Sequence, residues 1–314
     1  MEYCAEVKFW TDSKSENIDK VVRELSESYQ DGEAINHIQG VNLPSKNEII
    51  SILDNLGEVI FPGFAKEKIF NLKKIHYLTG NILSKVYPEL SSQIHRAFRY
   101  YCSSKSNYEI CDIQHITDDA ALHLVQQLPE IRRKMKLDVK EAFERDPAAK
   151  NFEEIILSYP GIYALTVYRI AHELYIKNVP LIPRIMSEYA HSKVSIDIHP
   201  GATIGESIFI DHGTGIVIGE TATIGNNVEI YHGVTLGAIS FPKTPDGKII
   251  KGKKRHPTIK SNVTVYSGAV ILGDIVIEKG SVIGGNTWLT ESVAPNSIVT
   301  IPKPEMSIKT KKNN

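Results

Sequence analysis

Cysteine is scarce in this chain. Its 314 residues include three, Cys4, Cys102 and Cys111, an odd number with no CxxC spacing and all before the repeat region. That excludes a disulfide framework and a cysteine metal site. No stretch approaches the roughly 18 apolar residues of a membrane span, and the amino-terminal MEYCAEVKFWTDSK has an early acid and no apolar signal-peptide core. A cytoplasmic chain without membrane contact is expected. Excess charge of one sign is missing too: 36 basic residues face 37 acidic ones. Nucleic acid is therefore not an expected partner, and the ligand is expected to be small.

What is present changes character near Lys193. Residues 1–193 are rich in Glu, Lys, Leu and Ile, with apolar residues at helical spacing, as in Val167, Ile170, Ala171 and Leu174. Breaks at Pro88, Asp146–Pro147, Pro160–Gly161 and Pro180 with Pro183, where proline removes an amide donor, predict about eight helices packed mostly as a bundle. From residue 194 to 302 the vocabulary becomes Ile, Val, Gly, Ala, Thr and Asn, with a period of six. Ile198, Ile204 and Ile210 mark it; Ile218, Ile224, Ile230 and Leu236 resume it two residues out of phase; Ile259, Val265, Ile271, Ile277, Ile283 and Leu289 then hold it strictly. A fixed period over this distance is a repeat architecture. Each hexapeptide makes one flat face with its aliphatic inward, and three faces complete a coil. The expected fold is α + β: a helical bundle followed by a parallel β-helix. Hexapeptide-repeat helices are left-handed, an exception to the right-handed crossover rule. A sandwich would need turn signals every 8–12 residues or so and alternation of period two.

Between Leu236 and Ile259 the repeat stops, and Pro242, Pro245, Gly247 and Gly252 mark residues 237–258 as an extruded loop. Lys243, Lys248, Lys251, Lys253, Lys254 and Arg255 face one acid there, Asp246. Solenoid insertions gather on the binding face, so a basic loop suits the phosphates of a nucleotide-bearing substrate. In IDHGTGIVIGE, His212 is the candidate general base, with Asp211 and Glu220 beside it. Asp197 lies fifteen residues earlier; with roughly eighteen residues per coil, it is expected on the neighbouring coil, close enough to orient the imidazole. GTGIVIG has the wrong spacing and context for a dinucleotide fingerprint. His199, His212, His232 and His256 show no tight ligand spacing, so no metal is expected, and His199 and His232 are read as structural or interface residues. No cysteine lies in the repeat, which leaves direct attack by a deprotonated substrate.

RDPAAKNF, DIHPGATIG, DHGTGIVIGET, GVTLGA and KRHPTIK, in this order, resemble the serine O-acetyltransferases, hexapeptide-repeat enzymes that use acetyl-CoA. The likeness covers about Asp146 to Pro302. It implies that His212 removes the serine hydroxyl proton, that Asp197 pairs with it, and that Asp146, Asp211, Arg255 and His256 hold serine. A guanidinium fork suits the carboxylate and the two acids suit the ammonium; His256 is a candidate oxyanion donor. By the same resemblance acetyl-CoA, a co-substrate with no permanently bound cofactor beside it, runs along Gly237, Ala238, Ser267, Gly268 and Gly285. The active site is expected between neighbouring β-helices of a trimer, with the loop closing over it. The chain departs from many members in having TLGA, a longer basic insertion, and VTIPKPEM after the last coil.

The expectation is therefore a serine O-acetyltransferase making O-acetyl-L-serine and CoA, the first step from serine to cysteine, as a homotrimer or hexamer assembled by the amino-terminal helices. L-Cysteine is an expected feedback inhibitor. Residues 303–314 form a tail ending KTKKNN, and its nearest isoleucine, Ile308, is not terminal, so no stable sulfhydrylase complex is expected. Two rivals are an acetyltransferase acting on a sugar hydroxyl, which leaves Asp146 and the Arg255–His256 pair without a role, and a non-catalytic β-helix scaffold, for which His212 is dispensable.

Overall fold

The computed structural model describes residues 12–30, 35–37, 40–64, 71–103, 112–240, 244–248, 250–302 and 308, with the side chains of 12–16 excluded. Cys4, Cys111 and Lys243, and the expected tail apart from Ile308, lie outside the described residues. The chain divides into two compact units, Met1–Asn42 and Leu43–Asn314. The first contains helix α1 (Asp12–Ser28), whose Ile18, Val21, Val22 and Leu25 are exposed. Their spacing puts them on one face of the helix.

The second unit opens with six helices: α2 (Lys46–Ile60), α3 (Leu72–Ser103), α4 (Ile113–Arg145), α5 (Phe152–Ser158), α6 (Pro160–Ile176) and α7 (Ile182–Val194). Ser45 caps α2 by accepting from the Glu48 amide, and Ile49, Ile52, Leu53, Leu56 and Ile60 form its buried stripe. Three expected breaks fall at helix ends: Asp146 caps α4, Pro160 opens α6, and Pro180 precedes α7, which has Pro183 in its first turn. The break expected at Pro88 does not occur. Pro88 lies inside α3, whose buried residues Val86, Leu90, Ile94 and Ala97 run straight past it. Packing on both sides thus outweighs one lost amide donor, and Pro129 is carried inside α4 in the same way. Seven helices result among the described residues, one fewer than expected.

Fourteen short strands follow: β1 (Ile196–Ile198), β2 (Thr203–Ile204), β3 (Phe209–Asp211), β4 (Ile216–Ile218), β5 (Thr223–Ile224), β6 (Glu229–Tyr231), β7 (Thr235–Gly237), β8 (Thr258–Ile259), β9 (Thr264–Val265), β10 (Val270–Leu272), β11 (Val276–Ile277), β12 (Val282–Ile283), β13 (Trp288–Leu289) and β14 (Ile298–Val299). They form three parallel faces, ordered β1-β4-β7-β10-β13, β2-β5-β8-β11 and β3-β6-β9-β12-β14. The fold is thus a helical region followed by a parallel β-helix. Its core is the expected aliphatic column, with Ile198, Ile218, Leu236 and Ile271 buried in one stack and Ile210, Ile230, Val265 and Ile283 in another. The coils differ in length. Ile196 pairs with Ile216, twenty residues on, whereas Ile218 pairs with Leu236, eighteen on. Between β7 and β8 the insertion stretches a coil to thirty-five residues, from Ile224 to Ile259.

A buried ion pair joins helices to solenoid. Asp138 of α4 accepts from Arg169 Nε at 3.0 Å and its Nη2 at 2.8 Å on one oxygen, and from the Ile208 amide at 2.9 Å on the other. Arg169 also donates to Gly205 O at 2.8 Å. Beside it the Tyr168 hydroxyl donates to Ala202 O at 2.6 Å and accepts from the Ile204 amide at 3.1 Å. Among the described residues no helix is long and apolar enough to cross a membrane.

Candidate active site

Chemistry-bearing side chains collect at two edges of the face that begins with β1. At the first edge, Asp146 ends α4 and Tyr159 precedes the first turn of α6. Asp146 accepts from the Ala148 amide at 2.8 Å on one oxygen and from the Tyr159 hydroxyl on the other. Burial, then the Asp146 carboxylate, raises the Tyr159 pKa, with Asp211 among the nearby charges, so the phenol remains a proton donor. The start of α6 can sit against β3 because residue 161 is glycine: a Cβ there would fall 2.8 Å from both Cβ and O of Ile210. That contact brings Asp146 and Tyr159 to the end of β3, where Asp211 stands. Arg145 strengthens the joint by donating to Glu229 at 3.0 Å, and Glu229 also accepts from Tyr231 at 2.8 Å and Thr264 at 3.2 Å.

His212 follows Asp211 in the left-handed region, φ 56°. Ser207 takes the same conformation elsewhere in the solenoid, as do Asn227, Asn262, Asn286 and Asn296, asparagine being a residue that meets it cheaply. Here the position is given to an imidazole, and its side chain is 73% exposed with Nε2 3.8 Å from Asp211 Oδ2. Its ring lies edge-on to that of His232, centroids 5.6 Å apart.

Asp197 does not pair with His212. It stands opposite Val217 in register. Burial raises its pKa, only partly offset by His191 and Arg184 of α7, with Glu188 adding to the rise. The expected meeting assumed an eighteen-residue coil, but this coil has twenty, so fifteen residues fall five short of a full turn rather than three. The edge itself is shared, since the Gly215 amide donates to Ser195 O at 2.8 Å, two residues before Asp197.

The second edge follows β4. Glu220 is not beside His212: its Oε1 accepts from Tyr175 of α6 at 2.8 Å and its Oε2 pairs with Arg255. Burial would raise the Glu220 pKa, but the hydrogen bonds from Arg255 and Tyr175 outweigh it and hold it below the usual carboxylate value. His256 is buried, 7% exposed. Its Nδ1 lies 3.1 Å from the Thr221 amide and 2.8 Å from the Thr221 hydroxyl. Burial, reinforced by Arg255 and Lys254 against Glu220, lowers its pKa to about 4, leaving it neutral near pH 7. The ring packs against residue 219, where a Cβ would stand 2.2 Å from Nε2. His199 has its own role: Nδ1 accepts from the Gly201 amide at 3.0 Å, the ring meets Tyr175 edge-on, and burial lowers its pKa to about 4. Lys254 of the basic loop donates to Thr221 O.

The structure thus brings Asp146 to Asp211 and His212, and Arg255 to His256, but keeps the two sets apart. Ile216–Gly219 alone spans roughly 10 Å at ~3.3 Å per residue. The residues expected to line acetyl-CoA divide likewise. Ser267, Gly268 and Gly285 extend the His212 edge, with Gly268 donating to His232 O at 2.9 Å and Asn286 to Ser267 O at 2.9 Å. Gly237, at the end of β7, and Ala238 after it extend the His256 edge: β7 lies in register with β4, and the Gly219 amide donates to Leu236 O at 3.0 Å. Tyr159, Tyr175 and Thr221 were not foreseen from sequence. Their partners lie 13, 45 and 35 residues away; Thr221 closes the DHGTGIVIGET segment, but nothing in that segment announces a bond to His256. Among the described residues no group of three or more His, Cys, Asp or Glu is arranged to hold a metal.

No family model matches the chain. Relatives do. A plasmid-encoded serine acetyltransferase of Synechococcus elongatus is 43% identical over 293 residues, 91% of either chain. Among solved structures, serine acetyltransferase isoform 3 of Entamoeba histolytica in complex with cysteine is 32% identical with a TM-score of 0.71, the match covering 95% of this chain and 96% of that one. The Neisseria gonorrhoeae enzyme in complex with serine is 28% identical with a TM-score of 0.52, covering 86% and 100%. An identity of 43% along nearly the full length of a curated relative, on a helical region followed by a parallel β-helix, places this chain in the serine acetyltransferase family.

Proposed function

We propose that the chain transfers the acetyl group of acetyl-CoA to the hydroxyl of L-serine, giving O-acetyl-L-serine and CoA. The observation that carries this reading is the division of the site. Two carboxylates, Asp146 and Asp211, and the exposed imidazole of His212 stand at one edge; a guanidinium and a neutral imidazole, Arg255 and His256, stand at the other. Their separation exceeds the length of a serine, so a neighbouring chain supplies the second edge. In a trimer the His212 edge of one copy faces the Arg255 edge of the next, a heterologous ring.

In that groove Asp146 and Asp211 meet the serine ammonium and Arg255 its carboxylate. His212 takes the hydroxyl proton as the oxygen attacks the thioester carbonyl. His256 donates from Nε2 to the oxyanion that develops. Collapse expels the CoA thiolate, which takes the proton from His212. Asp197 acts as orienting partner once the exposed ring of His212 turns from Asp211 toward β1. Acetyl-CoA extends along Ser267, Gly268 and Gly285 of one chain and Gly237 and Ala238 of the next. The exposed apolar stripe of α1 supports assembly of trimers into hexamers. The cysteine-bound Entamoeba relative supports L-cysteine as a competitor for the serine site, and the cytoplasm is the proposed location.

Acceptor preference tests the reading. Free CoA released from acetyl-CoA is expected to depend on L-serine and to fall to the background hydrolysis rate with sugar alcohols in its place. Turnover with a sugar hydroxyl and none with serine would transfer the fold to the first rival; no turnover with any acceptor would favour the scaffold.

A further inference from the structure

Building on the serine acetyltransferase reading, we propose that Glu220 and Thr221 are positioning residues for the acceptor half of the site: Glu220 fixes the Arg255 guanidinium and Thr221 fixes the His256 imidazole with its proton on Nε2. Both carboxylate oxygens of Glu220 are engaged within the chain, one by Tyr175 and the other by Arg255. Tyr175 is the last aromatic of α6, so the helix anchors the acid and the acid anchors the guanidinium. A guanidinium carries five donors in a fixed fork. One nitrogen held by Glu220, and Nη1 set 3.3 Å from Lys253 O, aim the rest of the fork.

Thr221 acts through four bonds. Its amide can only donate, and it points at His256 Nδ1 from 3.1 Å. Nδ1 must therefore carry the lone pair, which puts the proton of the neutral ring on Nε2. Its hydroxyl oxygen accepts from the backbone amides of Arg255, at 3.0 Å, and His256, at 3.2 Å, leaving the hydroxyl proton for Nδ1 at 2.8 Å. One side chain thus pins both residues at the end of the long loop. Nε2 stands against Gly219, at the corner after β4, where a Cβ would leave it no room.

Steady-state kinetics of the full chain, varying serine and acetyl-CoA separately, tests this with Glu220→Gln, Thr221→Val, Thr221→Ser and Arg255→Ala. Glu220→Gln keeps the shape and loses the charge. It is expected to raise the KM for serine about tenfold, the scale of one charge-assisted hydrogen bond, with the KM for acetyl-CoA within about twofold. Thr221→Val is expected to lower kcat about tenfold, and Thr221→Ser to restore it to within about threefold. A merely structural role would shift both KM values together and show no such rescue. The proposal is overturned if Arg255→Ala raises the KM for serine while Glu220→Gln does not, or if Thr221→Ser is as impaired as Thr221→Val. Absence of serine-dependent CoA release in the unsubstituted chain would overturn the underlying reading, and the positioning roles with it.

Discussion

Replacing His212 with alanine is expected to lower serine-dependent kcat by roughly 10²–10⁴, the scale of a lost general base, with a much smaller change in the KM for acetyl-CoA. His212 is the exposed imidazole at the edge that also holds Asp146, Asp211 and Ser267, so its loss leaves binding groups in place and removes the proton acceptor. Asparagine is the sharper substitution. The corner at residue 212 needs a left-handed backbone, and Asn227, Asn262, Asn286 and Asn296 already adopt it in this solenoid. His212→Asn should therefore keep the native unfolding temperature and lose activity to the same extent. Activity within tenfold of native in a well-folded His212→Asn protein would place the base elsewhere.

Asp138→Ala is the substitution expected to cost most in stability, about 3–5 kcal/mol by urea unfolding. Asp138 is fully buried; Arg169 and the Ile208 amide both donate to it, and its removal leaves a buried guanidinium without its counter-ion. Burial raises the carboxyl pKa, and the Arg169 charge and Ile208 amide oppose the rise. The consequence reaches the site, because this pair holds α4 and α6 to the first coil, and those helices carry Asp146, Tyr159 and Tyr175. The exposed pair Lys140–Glu144 is the control: Lys140→Ala is expected to change stability by less than about 0.5 kcal/mol. A loss below 1 kcal/mol or so for Asp138→Ala would mean that the joint is held by apolar packing alone.

The six-residue period is legible because each face of the β-helix buries one aliphatic and turns at once, so the core writes itself into the sequence at fixed intervals. The two-residue phase slip between Ile210 and Ile218 is the mark of the twenty-residue coil, and taking eighteen there overstated how closely the register alone brings Asp197 to His212. Glu220 was misplaced for a related reason. Eight residues from His212, it looks adjacent along the chain, but β4 lies between and carries it to the opposite edge. Pro88 shows the limit of local rules, since burial of Val86 and Leu90 on both sides keeps α3 continuous. Residues such as Asp211, His212, Arg255 and His256 stood out because their motifs are contiguous. Tyr159, Tyr175 and Thr221 did not, because what they hold is distant in sequence: α5 lies between Tyr159 and Asp146, α6 meeting the first coils brings Tyr175 to Glu220, and the return of the long loop brings Arg255 and His256 to Thr221.

In the proposed trimer one serine is held by the His212 edge of one chain and the Arg255 edge of another. Co-expression of His212→Ala and Arg255→Ala chains bearing different tags, with mixed oligomers isolated through both, tests it directly. Each variant alone is expected to be nearly inactive. Every trimer that carries both tags has one groove of three that pairs an intact His212 edge with an intact Arg255 edge, so activity should return to about a third of native. Mixed oligomers no more active than their parents would show that each site is complete within one chain.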